Sequence, residues 1–354
     1  MKITLVFLSL LFFIGCGGSS EPPMTQATNK KDLKEPFYNE QWALHYDKKF
    51  YDDNDIDKDA HIYITNTFKK YRGKGVTIAV IDTSLDTNHF EIKQSIKKAI
   101  NIKDKSSNVN CQTCEDAYHG NAVTGIIAAN INNKGIRGIA PEANIIFIKL
   151  DLSGYVSDSE FLDAFHLAIE NKADIINCSW GTDDVSDVVK SEIERLSTEA
   201  RNGKGVIFVF ATGNETKRIT NDESAIKSVI GVGSSDERNL RAVYSNFGKG
   251  LDILAPGGYE IGISTIYPND ELMTAKGTQR FLGTSASTPI VSGAIALMLE
   301  ANPRLSRVDV QNILQNSSDK IGNIPYEDGK NDYYGYGKIN VDKAISLIDN
   351  NNKD

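Results

Sequence analysis

The chain of 354 residues contains no run of basic residues, no internal repeat and only four cysteines. With a formal net charge of −8, the missing basic run argues against nucleic acid or an anionic lipid surface as a partner held by charge. The missing repeat argues against a solenoid or propeller. With Cys16 set aside, Cys111, Cys114 and Cys178 are too few for a structural zinc site built from two cysteine pairs. The apolar run near the start, Ile3 to Ile14, falls short of the roughly 20 residues that a membrane-spanning helix needs. What is present in quantity is apolar residue, 40% of the chain, enough to bury the core of one large α/β domain or two small ones.

The run from Ile3 to Ile14 follows a single lysine and suits a secretory leader. Phe13-Ile14-Gly15-Cys16 resembles a bacterial lipoprotein cleavage box, in which the cysteine receives lipid and becomes the mature N-terminus. Residues 1–15 are then the signal peptide and 16–36 a flexible tether that opens Gly17-Gly-Ser-Ser-Glu-Pro-Pro23. Gly17, in place of aspartate after the cysteine, points by analogy to the outer membrane. An exported chain permits disulfides, and Cys111-Gln-Thr-Cys114 could close a small loop just before His119; free thiols are the other reading. Cys178 ends an apolar run and reads as a small buried hydrophobe.

Short Val- and Ile-rich runs at 76–81, 145–149, 174–178, 206–211 and 229–233 alternate with helix-length segments. That alternation predicts a parallel sheet with helices on both faces. Helices are expected after His119, over 159–171, 187–201 and 285–300, and at the surface over 307–316 and 341–348. The segment from Ile290 to Leu299 is apolar on nearly every side and should be buried. No composition break divides residues 37–348, which read as one domain followed by a solvated tail at 349–354.

Three segments carry chemistry. Asp82 ends the apolar run Ile78-Ala-Val-Ile, His119-Gly120-Asn121 opens a helix, and Ser285 sits in Gly283-Thr-Ser-Ala-Ser-Thr-Pro289 at the entry to the apolar helix. Acid, base and serine in the order Asp, His, Ser match the order in subtilisin. From about Phe37 to Ile348 the chain resembles the subtilisin-like serine peptidases, and the resemblance implies their three-layer fold. By that resemblance Ser285 is the nucleophile, His119 the general base and Asp82 its orienting acid. Asn214, in Ala211-Thr-Gly-Asn-Glu215, is then the side-chain oxyanion donor. Ser179-Trp180-Gly181 and Ala211-Thr212-Gly213 become the walls of the primary substrate pocket, where an extended peptide pairs with the main chain.

The stretch from Asn214 to Ser224 is shorter than in typical relatives, so the pocket floor does not transfer from the family. Glu215, Asp222 and Glu223 there read either as a preference for basic residues or as solvated loop carboxylates. Ser84, Asn121 and the run Ala286-Ser287-Thr288 depart from the family's usual residues while keeping side chains small. Calcium stabilises many relatives, and Glu91 with the Asn132-Asn133 turn falls where its ligands could lie. No cofactor is needed for the chemistry. The roughly twenty residues between Cys16 and Tyr38 are fewer than an independently folding pro-domain needs.

These readings converge on an exported serine endopeptidase of the bacterial cell envelope, anchored by lipid and expected to act as a monomer on peptide or protein substrates. A peptide-binding protein of the same fold that does not cut is the competing expectation. A lipase or esterase of the α/β-hydrolase kind requires Gly-x-Ser-x-Gly and the order Ser, Asp, His, and neither is present.

Overall fold

Along the strand Thr77–Asp82 (β1), side chains alternate between two environments. Ile78 and Val80 join a cluster with Ala122, Val123 and Ile290, whereas Ala79 and Ile81 join another with Phe165, Phe208 and Phe210. A strand apolar on both faces needs cover on both sides of its sheet. The computed structural model describes residues 35–111, 117–152 and 154–351, and in it β1 lies inside a sheet of seven parallel strands. After β1 come β2 (Ile96–Asn101), β3 (Asn144–Lys149), β4 (Ile175–Cys178), β5 (Ile207–Ala211), β6 (Ile230–Ser235) and β7 (Ile253–Pro256). Their spatial order is β2-β3-β1-β4-β5-β6-β7, and a separate antiparallel pair is formed by β8 (Thr265–Tyr267) and β9 (Glu271–Met273).

The helices are α1 (Lys48–Asn54), α2 (His119–Ala128), α3 (Asp158–Glu170), α4 (Asp187–Gly203), α5 (Thr284–Ala301), α6 (Arg307–Ser317) and α7 (Val341–Asn351). Buried residues of α2, α5, α6 and α7 pack into one core cluster, and those of α3 and α4 into the cluster on the opposite face. Local sequence explains the ends: Ser157 with Glu160 and Ser306 with Asp309 form reciprocal capping boxes at the starts of α3 and α6. Of the residues of α5 from Thr284 to Leu299, only Ser285 is not buried, so this helix runs through the core and brings its first turn to the surface.

The sheet order reverses around β1, which lies between β3 and β4. In such sheets the binding crevice lies beyond the carboxyl ends of the strands at the reversal. Asp82 ends β1, Ser179 follows β4, and Asn214 lies just past β5.

Some elements were not legible in the sequence. Edge strand β2 reads Ile-Lys-Lys-Ala-Ile-Asn with two exposed lysines, and edge strand β7 has four residues and ends in Pro256, so neither shows an apolar run of strand length. The C-terminus also differs from the expected solvated tail: α7 continues to Asn351, and Asp349 receives Lys70 Nζ at 2.9 Å. The signal peptide at 1–15, Cys16, the tether up to residue 34 and Cys114 lie outside the described residues. No helix among the described residues is long and apolar enough to cross a membrane.

Candidate active site

Asp82 is fully buried and accepts from the Thr83 backbone N–H at 2.7 Å. Its Oδ1 and Oδ2 lie 2.9 and 3.1 Å from His119 Nδ1. The imidazole side chain is 18% exposed and packs nearly perpendicular to the Phe281 ring, with centroids 5.4 Å apart. Ser285 occupies the first turn of α5, where unpaired backbone N–H groups and the helix dipole favour negative charge. Its hydroxyl donates to the Ser179 carbonyl at 2.9 Å. A hydroxyl held by this single bond among the described residues can turn towards a base when an occupant arrives, as unliganded sites often require.

Asn214 is the second group at this edge. Its Oδ1 accepts from the Thr284 N–H at 2.9 Å and from the Thr284 hydroxyl at 3.0 Å. With the carbonyl end tied down, the amide nitrogen is the end left to donate into the crevice. The loop carrying Asn214 is shaped by Asn246, whose Nδ2 donates to Thr212 O at 2.8 Å and Glu215 Oε2 at 2.7 Å, and whose Oδ1 accepts from the Glu215 and Lys217 N–H groups. Gly213 has a φ of +93°, and a Cβ there would stand 2.5 Å from Asn246 Nδ2. Only glycine satisfies both the left-handed backbone and that approach.

A cavity of about 260 Å³ opens beside Ser285 and Asn214, between Ser179-Trp180-Gly181 on one side and Ala211-Thr212-Gly213 on the other. The two expected walls therefore face one space. Trp180 donates its indole N–H to Ile81 O at 2.8 Å and stacks on Phe161, which fixes the Ser179–Gly181 segment against the end of β1. A second cavity of about 500 Å³ lies on the other side of that segment, and Trp180, Gly181 and Thr182 line both. The segment is a ridge between two pockets.

The departures from the family pattern have partners. Ser84 Oγ accepts from the Cys111 N–H at 2.9 Å, and Asn121 Oδ1 accepts from the Asp86 N–H at 2.9 Å. Both tie loops beside His119. Cys111 is disulfide-bonded, which removes the free-thiol reading for that residue. Cys178 is free and buried, and desolvation holds its thiol well above the ordinary range, as expected of a packed hydrophobe.

The turn expected to bind calcium is built differently from a calcium cradle. Glu35, 3% exposed, accepts from the N–H groups of Asn132 and Asn133 on one oxygen and of Lys134 and Gly135 on the other, at 2.6 to 3.2 Å. Glu91, fully buried, accepts from the Ile136 N–H at 3.0 Å and the Asn132 amide at 2.8 Å. Burial pushes the Glu91 carboxyl up to about 7, against the stabilising pull of the Ile136 N–H. Calcium is held by six to eight oxygens, whereas this loop turns successive N–H groups inwards and forms an anion nest filled by Glu35. As placed, Glu91 accepts from the Ile136 N–H and the Asn132 amide, so the structure assigns no calcium ligand among Glu91, Asn132 and Asn133. No group of three or more His, Cys, Asp or Glu able to hold a metal occurs among the described residues.

Sequence reasoning assigned no role to Thr284, Asn246 or Glu35. Thr284 stands inside the serine motif and was legible as a neighbour only. Asn246 and Glu35 act on loops far away in the chain, and nothing local marks them.

A parallel sheet reversing at β1, with an acid, a base and a serine gathered beyond its carboxyl edge, defines an α/β protein of the subtilisin-like three-layer kind. A model of the subtilase family matches residues 73–337, and the chain belongs to that family. Among its relatives, a calcium-dependent protease of Nostoc sp. is 31% identical over 326 residues, covering 81% of this chain and 48% of that protein. The chain spans about half the length of that relative. Subtilisin Savinase of Lederbergia lenta is 30% identical over 275 residues, covering 77% of this chain and 91% of the relative. Among solved structures, the serine protease of Aeromonas sobria in complex with a chaperone superposes with a TM-score of 0.76 at 20% identity, covering 93% of this chain and 71% of that one. A cold-adapted subtilisin-like serine proteinase superposes with a TM-score of 0.61 at 25% identity, covering 77% and 89%.

Proposed function

We propose that this chain is a serine endopeptidase in which Asp82, His119 and Ser285 form the catalytic triad and Asn214 donates to the oxyanion. The observation that carries the reading is the Asp82–His119 pair, 2.9 Å between Oδ1 and Nδ1, standing at the same sheet edge as Ser285 and Asn214. Relatives that bear the names of proteases support it.

On this reading an extended peptide pairs with the Ser179–Gly181 ridge and displaces the Ser285 hydroxyl from the Ser179 carbonyl. The hydroxyl turns to His119 Nε2, gives up its proton and attacks the scissile carbonyl carbon. Charge that develops on the carbonyl oxygen is met by Asn214 Nδ2 and the Ser285 N–H. Asp82 holds Nδ1–H and stabilises the imidazolium. His119 then protonates the leaving amine, and a water deprotonated by the same imidazole releases the acyl group from Ser285. Unfolded or loop segments of proteins are the natural substrates, because only an extended backbone can pair along the ridge.

Export by the leader and attachment through lipid on Cys16 complete the proposal, with the cell envelope, at the outer membrane, as the location and a monomer as the working form. Cys16→Ser should move the protein from the membrane to the soluble fraction. Calcium dependence, which the name of one relative carries, is not assigned to Glu91 and its loop.

A fluorophosphonate probe tests the enzymatic core of the reading. Labelling of wild type and none of Ser285→Ala, together with cleavage of an unfolded protein by wild type alone, is the expected result. Wild-type protein that binds peptides yet neither cleaves them nor takes the probe would replace the reading with peptide binding.

A further inference from the structure

The cavity beside Ser285 is lined by three carboxylates, Asp183, Glu215 and Asp222. Lys217 answers two of them: its Nζ pairs with Asp183 and lies 4.0 Å from Glu215 Oε2. Asp222 makes no ion pair among the described residues. Its Oδ1 accepts the Ala225 N–H at 3.2 Å and the Ser224 hydroxyl, so the side chain is fixed in place as a cap on the turn Glu223–Ala225. Desolvation raises its pKa, outweighing the hydrogen bonds from Ser224 and Ala225 and the more distant charge of Lys217.

An independent feature points to a missing partner. The Thr212 hydroxyl, in a residue 1% exposed that lines the same cavity, has no hydrogen-bond partner among the described residues. An apolar occupant would displace water from the open pocket and leave the Asp222 charge and the Thr212 hydroxyl with nothing new to bond, which is costly for both. A long side chain ending in nitrogen donors answers them, with its methylenes along the Ala211–Gly213 wall and its charge at Asp222.

We propose that Asp222 determines specificity in this pocket, and that the pocket takes the Arg or Lys side chain of the residue immediately before the cut. This rests on the peptidase reading above. It does not follow from the fold, because the pocket floor lies in the segment after Asn214 that is shorter than in typical relatives.

Peptides that differ only in the residue before the cut, Arg, Lys, Leu or Glu, provide the test. Wild type should show a kcat/KM for Arg and Lys at least about tenfold above that for Leu, with Glu poorest. Asp222→Asn keeps the shape and the cap while removing the charge, and should lower the Arg-to-Leu ratio by roughly ten- to hundredfold. A cap role alone would lower cleavage of all peptides together and leave that ratio unchanged, which overturns the proposal, as does a wild type that prefers Leu. Paired peptide aldehydes ending in Arg or Leu, assayed as inhibitors of wild type, give the same answer without a variant: tighter inhibition by the Arg aldehyde supports the assignment and equal inhibition overturns it. The two readings fail separately. Fluorophosphonate labelling with a preference for Leu removes only the basic pocket, whereas absence of both labelling and cleavage removes the peptidase reading and the pocket with it.

Discussion

Thr284 grips Asn214 twice, through its backbone N–H at 2.9 Å and its hydroxyl at 3.0 Å, both to Oδ1. The residue that precedes the candidate nucleophile therefore orients the candidate oxyanion donor. Serine and amide are set by the same turn of helix, so a shift in one carries the other with it.

From this relationship, Asn214→Ala should lower kcat by about 10²–10³-fold with little change in KM, the loss known for the corresponding donor of subtilisin. Thr284→Val removes one of the two bonds and should lower kcat by about fivefold, again with KM nearly constant. Steady-state kinetics on one cleavable peptide measures both. An unchanged kcat in Asn214→Ala would show that another group meets the oxyanion.

Groups that act in one step are not additive. Ser285→Ala should remove nearly all activity, and adding Asn214→Ala to it should cost little more, because no oxyanion forms without the attack. Residual rates of the single and double variants, measured side by side, decide this.

The carboxyl of Glu91 is raised from 4.5 to about 7, chiefly by burial. The folded state therefore binds this proton more tightly than the unfolded chain. Its favourable contribution is complete below about pH 4.5, declines between about 4.5 and 7, and is absent above. Glu91→Gln should flatten the pH dependence of Tm across that window, by an amount worth about 1–3 kcal/mol at its limit. Identical Tm profiles for wild type and variant would exclude Glu91 as the titrating group.

Glu35 satisfies four consecutive N–H groups of the turn at 132–135. Glu35→Ala leaves buried donors without acceptors and should cost about 2–4 kcal/mol. Amide exchange at 132–135 should accelerate in this variant, while chelation of wild type by EDTA should leave those amides protected. Exposure of the turn by EDTA alone would mean that a cation, and not Glu35, holds it.

The reactive residues were legible from sequence because their chemistry is written locally. Asp82 closes an apolar strand, His119 is followed by a small residue at a helix start, and Ser285 lies among small residues before the apolar helix. The sheet was legible for its buried strands, where Val and Ile cluster, and not for β2 and β7, whose edge positions allow lysine and proline. Tertiary structure alone decided the supporting contacts: the Thr284 bonds to Asn214 span 70 residues, Ser285 to Ser179 spans 106, and Glu35 to its nest spans 97 to 100. It also decided that the turn at 132–135 presents successive N–H groups to Glu35, since whether a turn offers N–H groups or carbonyls depends on backbone direction and not on side-chain identity. A hydrogen bond needs two groups within about 3 Å, and along an extended chain no periodicity records which distant partner will supply the second.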